Sequence, residues 1–574
     1  MTQSTDAPKV RILQAPTGSG KTSFPAAAPY VNGQLQDALP QDYHLPAGHM
    51  DWRPHQRETL AWLTGQQPGV SMALVRTINL QRLQYGKEYG FDYVTGRRNW
   101  PCVHPLNPGV QADECLYGQY MHKCEYAAIC KYLQKKSIAK FSNKPSYNYA
   151  YFMVARGPRE RLAELGQDAI LWADEGQELA ELIIAFAGST ITQRDRRDYG
   201  LPIFPRLKGG SVNKLMKGTG KDVVGPAKLW LEKCIPILKQ AAEAASKQLE
   251  HERDHAAITD ATRQRVKRTD NLLRKCEQTH EAIESAPDDW YIRSGPTARS
   301  YRGKTEPGFI ARPLTAANHF ERYFLHGQRM VLMSATIGGH TEFARQLGLH
   351  IDDYEFRSVP NQFTPEQRPI HALDVPAMGA RKQHETDRQF NMRFDKQAQV
   401  IADTILDLPH DWSGLLLVTS KQAAIDLTKR LSRRKLGNRV WLQPGTGDES
   451  VPTDAQTLAW HKRRGQIPNS IAVSWTKHTG YDGLDEKFVI VCKAPFPRYG
   501  SPGSYQEAWR KHSPSRYRWQ AACQLAQGLG RTRRGRPQDY DTPTERRGFV
   551  GIADKSWTQV KKYLPKDILD AINE

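Results

Sequence analysis

Residues 10–22 leave the chain few folds to choose from. Val10-Arg11-Ile12-Leu13 is a short apolar run that feeds directly into Gln14-Ala15-Pro16-Thr17-Gly18-Ser19-Gly20-Lys21-Thr22. A strand ending in a glycine-rich turn, then a lysine and a hydroxyl residue, opens a strand–loop–helix unit. Such units assemble into parallel α/β sheets. Gly18 and Gly20 let the backbone curl so that its N–H groups face phosphate oxygens. Lys21 can reach the β- and γ-phosphates of a nucleotide, and the Thr22 hydroxyl can hold Mg2+. The helix that follows adds a favourable dipole at its N-terminus. Ala15 stands where the strict pattern has glycine, and the remainder fits.

Leu171-Trp172-Ala173-Asp174-Glu175-Gly176-Gln177 ends a second apolar run. An acidic pair at the end of a strand completes a phosphate site: Asp174 would hold Mg2+, and Glu175 would orient and deprotonate an attacking water. Further β-rich runs lie at 72–75, 330–333, 415–418, 471–474 and 489–492, with helical patterns between several of them. This alternation predicts parallel sheets. Residues 237–286 differ. They contain no Gly or Pro, and Thr259 or Asp260 is placed to cap a second helix. Val266, Leu273, Cys276 and Ile283 recur near a helical period, so an antiparallel helix pair is expected inside the α/β framework.

The charge balance points to a polyanion. Lys and Arg number 81 against 61 Asp and Glu, a formal net charge of +20 over 574 residues. No apolar run approaches the roughly 20 residues of a membrane-spanning helix. The opening MTQSTDAPKV has no apolar core of a signal peptide. Eight cysteines in a chain this long suggest a reducing compartment rather than a disulfide framework. Four of them, Cys102, Cys115, Cys124 and Cys130, fall close together and can ligate a metal centre. No CxxC pair occurs, which disfavours a zinc ribbon without removing it. The other four read as small buried hydrophobes.

Later segments supply an ordered set of motifs. Met333-Ser334-Ala335-Thr336, Gly480-Tyr481-Asp482-Gly483-Leu484-Asp485 and Gln527-Gly528-Leu529-Gly530-Arg531-Thr532-Arg533-Arg534 resemble motifs III, V and VI of superfamily 2 helicases. Thr419-Ser420 resembles motif IV. The resemblance narrows to the XPD/DinG-like helicases. Gly96-Arg97-Arg98-Asn99-Trp100-Pro101-Cys102 is similar to that family's Gly-Arg-x-Asn-Tyr-x-Cys, with Trp100 for Tyr. Lys144-Pro145-Ser146-Tyr147-Asn148-Tyr149-Ala150-Tyr151 resembles the stretch before its acidic box, and Lys493-Ala494-Pro495-Phe496-Pro497 follows motif V as in the family. The match spans nearly the whole chain.

The resemblance implies two RecA-like parallel-sheet domains, with an iron–sulfur domain and a helical arch inserted in the first. The expected first domain comprises 1–95, 144–205 and 301–345, the cluster domain 96–143, the arch 206–300 and the second domain 346–574. ATP would lie between the two RecA-like domains, against Ala15 through Thr22, Gln177, Gly483, Asp485 and Gln527. Arg531 and Arg534 would reach its γ-phosphate, completing a catalytic set with Lys21, Asp174 and Glu175. Arg76 and Thr77 resemble motif Ia, which touches the DNA backbone. The four clustered cysteines would hold a [4Fe–4S] cluster. The implied cofactors are thus ATP, Mg2+ and the cluster.

The implied activity is ATP-dependent 5′→3′ translocation on single-stranded DNA and unwinding of forked or tailed duplexes, by a monomer with no membrane association. The alternative is a DNA-stimulated ATPase that remodels R-loops or protein–DNA complexes with a partner. Some DinG-like relatives act beside CRISPR effectors, so a CRISPR or replication and repair complex is a candidate partner. The near-complete motif set argues against a binding module with degenerate ATPase motifs. The expected setting is a prokaryotic cytoplasm, at the nucleoid, or a plasmid or phage.

Two departures stand out. Gln177 replaces the family's His and Gly176 its Ala, so altered coupling between ATP and DNA is expected. Only 13 residues precede Gln14, which leaves no room for the usual upstream adenine-reading Arg/Gln element or for a fused nuclease. A similar string, Arg53-Pro54-His55-Gln56-Arg57, follows the loop, and either folds back to the adenine or matches by coincidence. Trp100, Tyr117, Tyr120 and Tyr126 are candidate base-stacking residues or core. Arg263, Arg265, Lys267, Arg268, Arg274 and Lys275 give the helix pair a basic face that contacts DNA or only water.

Overall fold

The computed structural model describes residues 10–15, 23–30, 54–65, 67, 69–107, 109–115, 117–205, 221–255, 258–285, 289–296, 307–359, 364–366, 369–379, 384–442, 462–475, 486–498, 504–530 and 548–573. Pro16, Thr17, Gly18, Ser19, Gly20, Lys21, Thr22, Gly483, Asp485, Arg531 and Arg534 lie outside them, as do Arg53 and the side chains of Gln56 and Tyr120.

Every expected apolar run is a strand. The first sheet contains β1 (Val10–Gln14), β2 (Val70–Val75), β3 (Asp92–Val94), β4 (Pro145–Asn148), β5 (Ala169–Asp174), β9 (Arg329–Ser334) and β10 (Tyr354–Ser358). Its order is β10-β1-β9-β5-β2-β4-β3, with every neighbouring pair parallel. Strands buried on both faces read as continuous apolar runs, and β5 is buried at all six positions. The second sheet contains β11 (Ile370–Ala372), β12 (Gly414–Leu417), β13 (Val440–Leu442), β14 (Ile471–Ser474), β15 (Phe488–Val491), β16 (Phe549–Ile552) and β17 (Ile572–Asn573). It too is parallel, in the order β13-β14-β12-β15-β16-β11-β17.

A helix at Pro514–Leu529 joins the two sheets. Its Trp519 and Leu525 share one buried apolar cluster with Ile12, Leu171 and Leu332 of the first sheet and Leu415, Val489 and Val550 of the second. The Trp519 indole N–H donates to the Ile337 carbonyl (2.7 Å), just past the Ser-Ala-Thr segment.

The helix pair is present and longer than expected. Its first member is Lys221–Asp254 and its second Asp260–Ser285. The first runs through Pro226 and Pro236, although an interior proline costs a helix about 3 kcal/mol. Burial of Val223, Ala227, Trp230, Leu231, Cys234 and Leu238 along that helix outweighs the penalty. Thr259 is the cap: its Oγ1 accepts from the Thr262 N–H (3.2 Å).

A small antiparallel sheet supports the pair, formed by β6 (Ser189–Thr192), β7 (Trp290–Pro296) and β8 (Pro307–Pro313). Ile191, Trp290, Phe309 and Ala311 of this sheet pack on the helices. It draws on residues from both sides of the boundaries expected at 206 and 300. The first large sheet also takes β10 from beyond the boundary expected at 346, because β1 leaves one edge open for a parallel partner. Among the described residues no helix is long and apolar enough to cross a membrane.

Candidate functional site at the carboxyl edge of the first sheet

Parallel register brings the predicted motifs together. Gln14 of β1 stands opposite Ser334 of β9, and Met333 of β9 opposite Asp174 of β5. The strand before the phosphate loop, the Ser-Ala-Thr strand and the acidic strand therefore end side by side. The Ala15 N–H donates to the Ser334 carbonyl (2.9 Å), and the Gly338 N–H to Gln14 Oε1 (2.7 Å). The start of the phosphate loop is thus fixed to the segment after β9. Ligands of open α/β sheets bind beyond this carboxyl edge.

Asp174 is buried, 2% exposed, and its polar atoms are assigned. Oδ1 accepts from the Glu175 N–H (3.0 Å), Oδ2 accepts from the Tyr85 hydroxyl (3.2 Å), and the main-chain carbonyl accepts from the Tyr149 hydroxyl (2.7 Å). Burial, and then the Asp174 charge, push both phenols well above the ordinary tyrosine range, so both remain donors.

Glu175 has φ 56° and ψ 42°, the only positive-φ residue other than glycine among those described. A left-handed backbone there costs about 1–2 kcal/mol and turns the side chain away from the strand direction. The Gln177 carboxamide, 6% exposed, donates through Nε2 to Glu175 Oε2 (2.8 Å). Gln527, near the end of Pro514–Leu529, donates to the same oxygen at 3.5 Å. One carboxylate oxygen is thus approached by a residue of each large sheet's helical layer. Gln177 makes the contact without a titratable group, where the family's His would carry one.

Arg76 and Thr77 follow β2 on the same edge and are exposed. The Arg76 guanidinium pairs with Glu178. Burial raises Glu178 to about 7, with Arg76 opposing the shift and Glu175 adding to it. Thr77 Oγ1 accepts from the Leu80 N–H (3.2 Å) and starts a π-helix, Leu80–Glu88.

The helix Pro54–Thr64 bears on the displaced Arg/Gln string. Its C-terminal end is held at the opposite edge of the sheet: Arg11 donates to the Leu63 carbonyl (3.1 Å) and Arg329 to the Gln67 carbonyl (3.0 Å). Arg357, one residue from the end of β10, reaches Glu58 at 3.4 Å. The helix therefore runs antiparallel to β1. Its first turn, opened by Pro54, points to the edge from which the phosphate loop leaves.

The four clustered cysteines are half-buried and free. Cys115, Cys124 and Cys130 each close a short 3-10 turn. Burial pushes the Cys115 thiol up to about 11, with Cys102 and Cys124 adding and the Tyr117 N–H opposing. Cys124 is raised by burial and then by Cys102 and Cys130, against the Tyr126 N–H. Cys102 and Cys124 therefore lie near Cys115, and Cys102 and Cys130 near Cys124. Among the described residues no three His, Cys, Asp or Glu side chains are set as the ligands of a metal ion.

The nucleic-acid candidates divide. Trp100 donates to the Thr95 carbonyl (3.3 Å) and packs on the core. Tyr117 lies under Arg253 (4.8 Å), and Tyr126 meets His104 edge-on (5.0 Å). On the helix pair, Arg263 pairs with Asp260, Lys267 with Asp113 (2.6 Å), and Arg268 with Asp195 and Asp198 (2.7 Å each). Arg274 is half-buried, and Arg265 and Lys275 face solvent. Sequence reasoning missed Tyr85, Glu178 and the role of Tyr149. Tyr149 stood in a quoted motif, but nothing in Leu80–Glu88 marked Tyr85 as facing a carboxylate.

No known protein family and no curated protein matches the sequence. Solved structures share its fold. "XPD_Helicase" overlays with a TM-score of 0.50 at 12% identity, covering 96% of this chain and 95% of that one. "XPD_APO" gives 0.44 at 11% identity, with coverages of 95% and 91%. S. cerevisiae Dbp5 bound to RNA and ADP BeF3 gives 0.33 at 10%, with coverages of 97% and 82%. The likeness at 0.50 identifies the two parallel sheets as a pair of RecA-like domains.

Proposed function

We propose that the chain is an ATP-dependent DNA helicase that moves 5′→3′ along a single strand and unwinds tailed or forked duplexes. One observation carries this reading. Glu175, the candidate general base, sits at the carboxyl edge of one RecA-like sheet and accepts a hydrogen bond from Gln527, on the helix that leads to the second. A base shared in this way is active only when the two domains close on a nucleotide.

Lys21 and the loop Ala15–Thr22 are assigned to the phosphates, and Gly483 and Asp485 of the motif V segment to the same nucleotide. Glu175 takes the proton of the attacking water, and Gln177 fixes its rotation. Arg531 follows Gln527 by four positions, which favours delivery of Arg531 and Arg534 to the same cleft. The direction of helix Pro54–Thr64 supports assigning the Arg53–Gln56 string to the adenine. Thr22 and the buried, hydrogen-bonded Asp174 carboxylate offer the hard oxygen donors that suit Mg2+, which neutralises phosphate charge when bound. Cys102, Cys115, Cys124 and Cys130 would hold the [4Fe–4S] cluster, which cross-links its segment when bound. Their half-buried placement and mutual repulsion as thiolates support this, because both penalties vanish on a cationic iron centre.

The test is ATP hydrolysis with and without single-stranded DNA. Wild type is expected to be stimulated, and Lys21→Ala and Glu175→Gln to lose turnover by at least about 100-fold. Turnover unchanged in both variants would overturn the assignment. Stimulated hydrolysis without any strand separation would shift it to remodelling with a partner complex.

A further inference from the structure

The segment that opens at the candidate DNA contact touches the acidic box twice. At its start, Arg76 pairs with Glu178. Nine residues on, the Tyr85 hydroxyl donates to Asp174 Oδ2 (3.2 Å). Tyr85 lies within a π-helix, Leu80–Glu88, a winding that is rare and concentrated at functional sites. The helix is anchored along its buried face. Gln81, fully buried, donates through Nε2 to the Val94 carbonyl (3.2 Å) and the Ser146 carbonyl (2.6 Å). Tyr85 is also fully buried, edge-on to Phe91 at 5.3 Å and Tyr89 at 6.3 Å. Its ring belongs to the core, and its hydroxyl ends on a carboxylate.

We infer that Tyr85 is a positioning residue that sets the rotation of the Asp174 carboxylate and links it to the strand contact at Arg76 and Thr77. With Oδ1 bonded to the Glu175 N–H and Oδ2 to Tyr85, both oxygens of the Asp174 carboxylate are held in orientation by this chain's own donors. A phosphate of the DNA strand that draws Arg76 from Glu178 pulls on the start of the same helix. Tyr85 passes that displacement to Asp174. The inference rests on the helicase reading, since it assumes that Asp174 serves ATP hydrolysis and that Arg76 meets a strand.

Tyr85→Phe removes one oxygen and keeps the ring. Tyr149→Phe is the control, because its hydroxyl bonds only the Asp174 main-chain carbonyl. Four quantities are measured for each: Mg2+ dependence of fluorescent-nucleotide binding, the ratio of DNA-stimulated to basal kcat, DNA affinity without nucleotide, and the melting temperature. Tyr85→Phe is expected to raise the half-saturating Mg2+ concentration and to cut the stimulation ratio, each by roughly 10-fold, with DNA affinity unchanged. Tyr149→Phe is expected to lower the melting temperature without either effect. An unchanged stimulation ratio in Tyr85→Phe, or equal losses in the two variants, would overturn the positioning role. A wild-type enzyme with no ATP turnover would instead overturn the helicase reading, and this proposal with it.

Discussion

Glu178 shows how one side chain ties pH to stability. Burial raises its folded-state pKa to about 7, above the ordinary glutamate value. The folded chain therefore binds this proton more tightly than the unfolded chain. The associated stability is complete below the unfolded pKa and is lost as pH rises through about 7. Glu178→Gln cannot ionise, so it should lose less thermal stability than wild type between about pH 5 and pH 8. Parallel melting profiles across that window would contradict the burial seen here. The placement of Asp174 and Glu175 at the end of β5 was legible, because an apolar run leading into an acidic pair marks the end of a buried strand. Tyr85 and Glu178 were not, because a tyrosine in a polar-looking stretch and a glutamate four past an aspartate have no local signature. Only the parallel pairing of β2 with β5 brings Tyr85 to Asp174 and Arg76 to Glu178.

At the scale of elements, strands were read best, because burial on both faces leaves an uninterrupted apolar run. The helix pair was read with its start too late, since Pro226 and Pro236 look like breaks until the packed face is known. Its buried side also includes Thr262, Thr269 and Thr279, which a hydrophobic pattern passes over. The small β6–β8–β7 sheet escaped notice because β6 is only four residues long and the helix pair separates it in sequence from β7 and β8. The cysteine segment carries its own prediction. Cys124→Ser should lower iron content and strand separation while leaving nucleotide affinity within about twofold, since the four thiols lie in the segment between β3 and β4 and not in β1, β9 or β5. Equal strand separation by both proteins, with no iron in either, would remove the cluster from the account.

Across the whole molecule, the helix Pro514–Leu529 packs between the two RecA-like sheets. Arg516, 2% exposed, donates to the Leu314 carbonyl (3.0 Å) and pairs with Glu181 on the helix that follows the acidic box. Removing it strands a buried carbonyl, so Arg516→Ala should cost about 2 kcal/mol and lower the melting temperature. An unchanged melting temperature would show that the joint is not held there. Gln527, farther along the helix, meets Glu175. Under the proposed function, a joint at one end and a contact with the candidate base at the other would couple domain closure to hydrolysis.

The most direct test is ATP-dependent strand displacement by anaerobically purified protein on matched DNA duplexes carrying a 5′ or a 3′ tail. Unwinding from the 5′ tail alone, lost in Glu175→Gln, is the predicted result. Unwinding from the 3′ tail, or displacement that persists in Glu175→Gln, would contradict it.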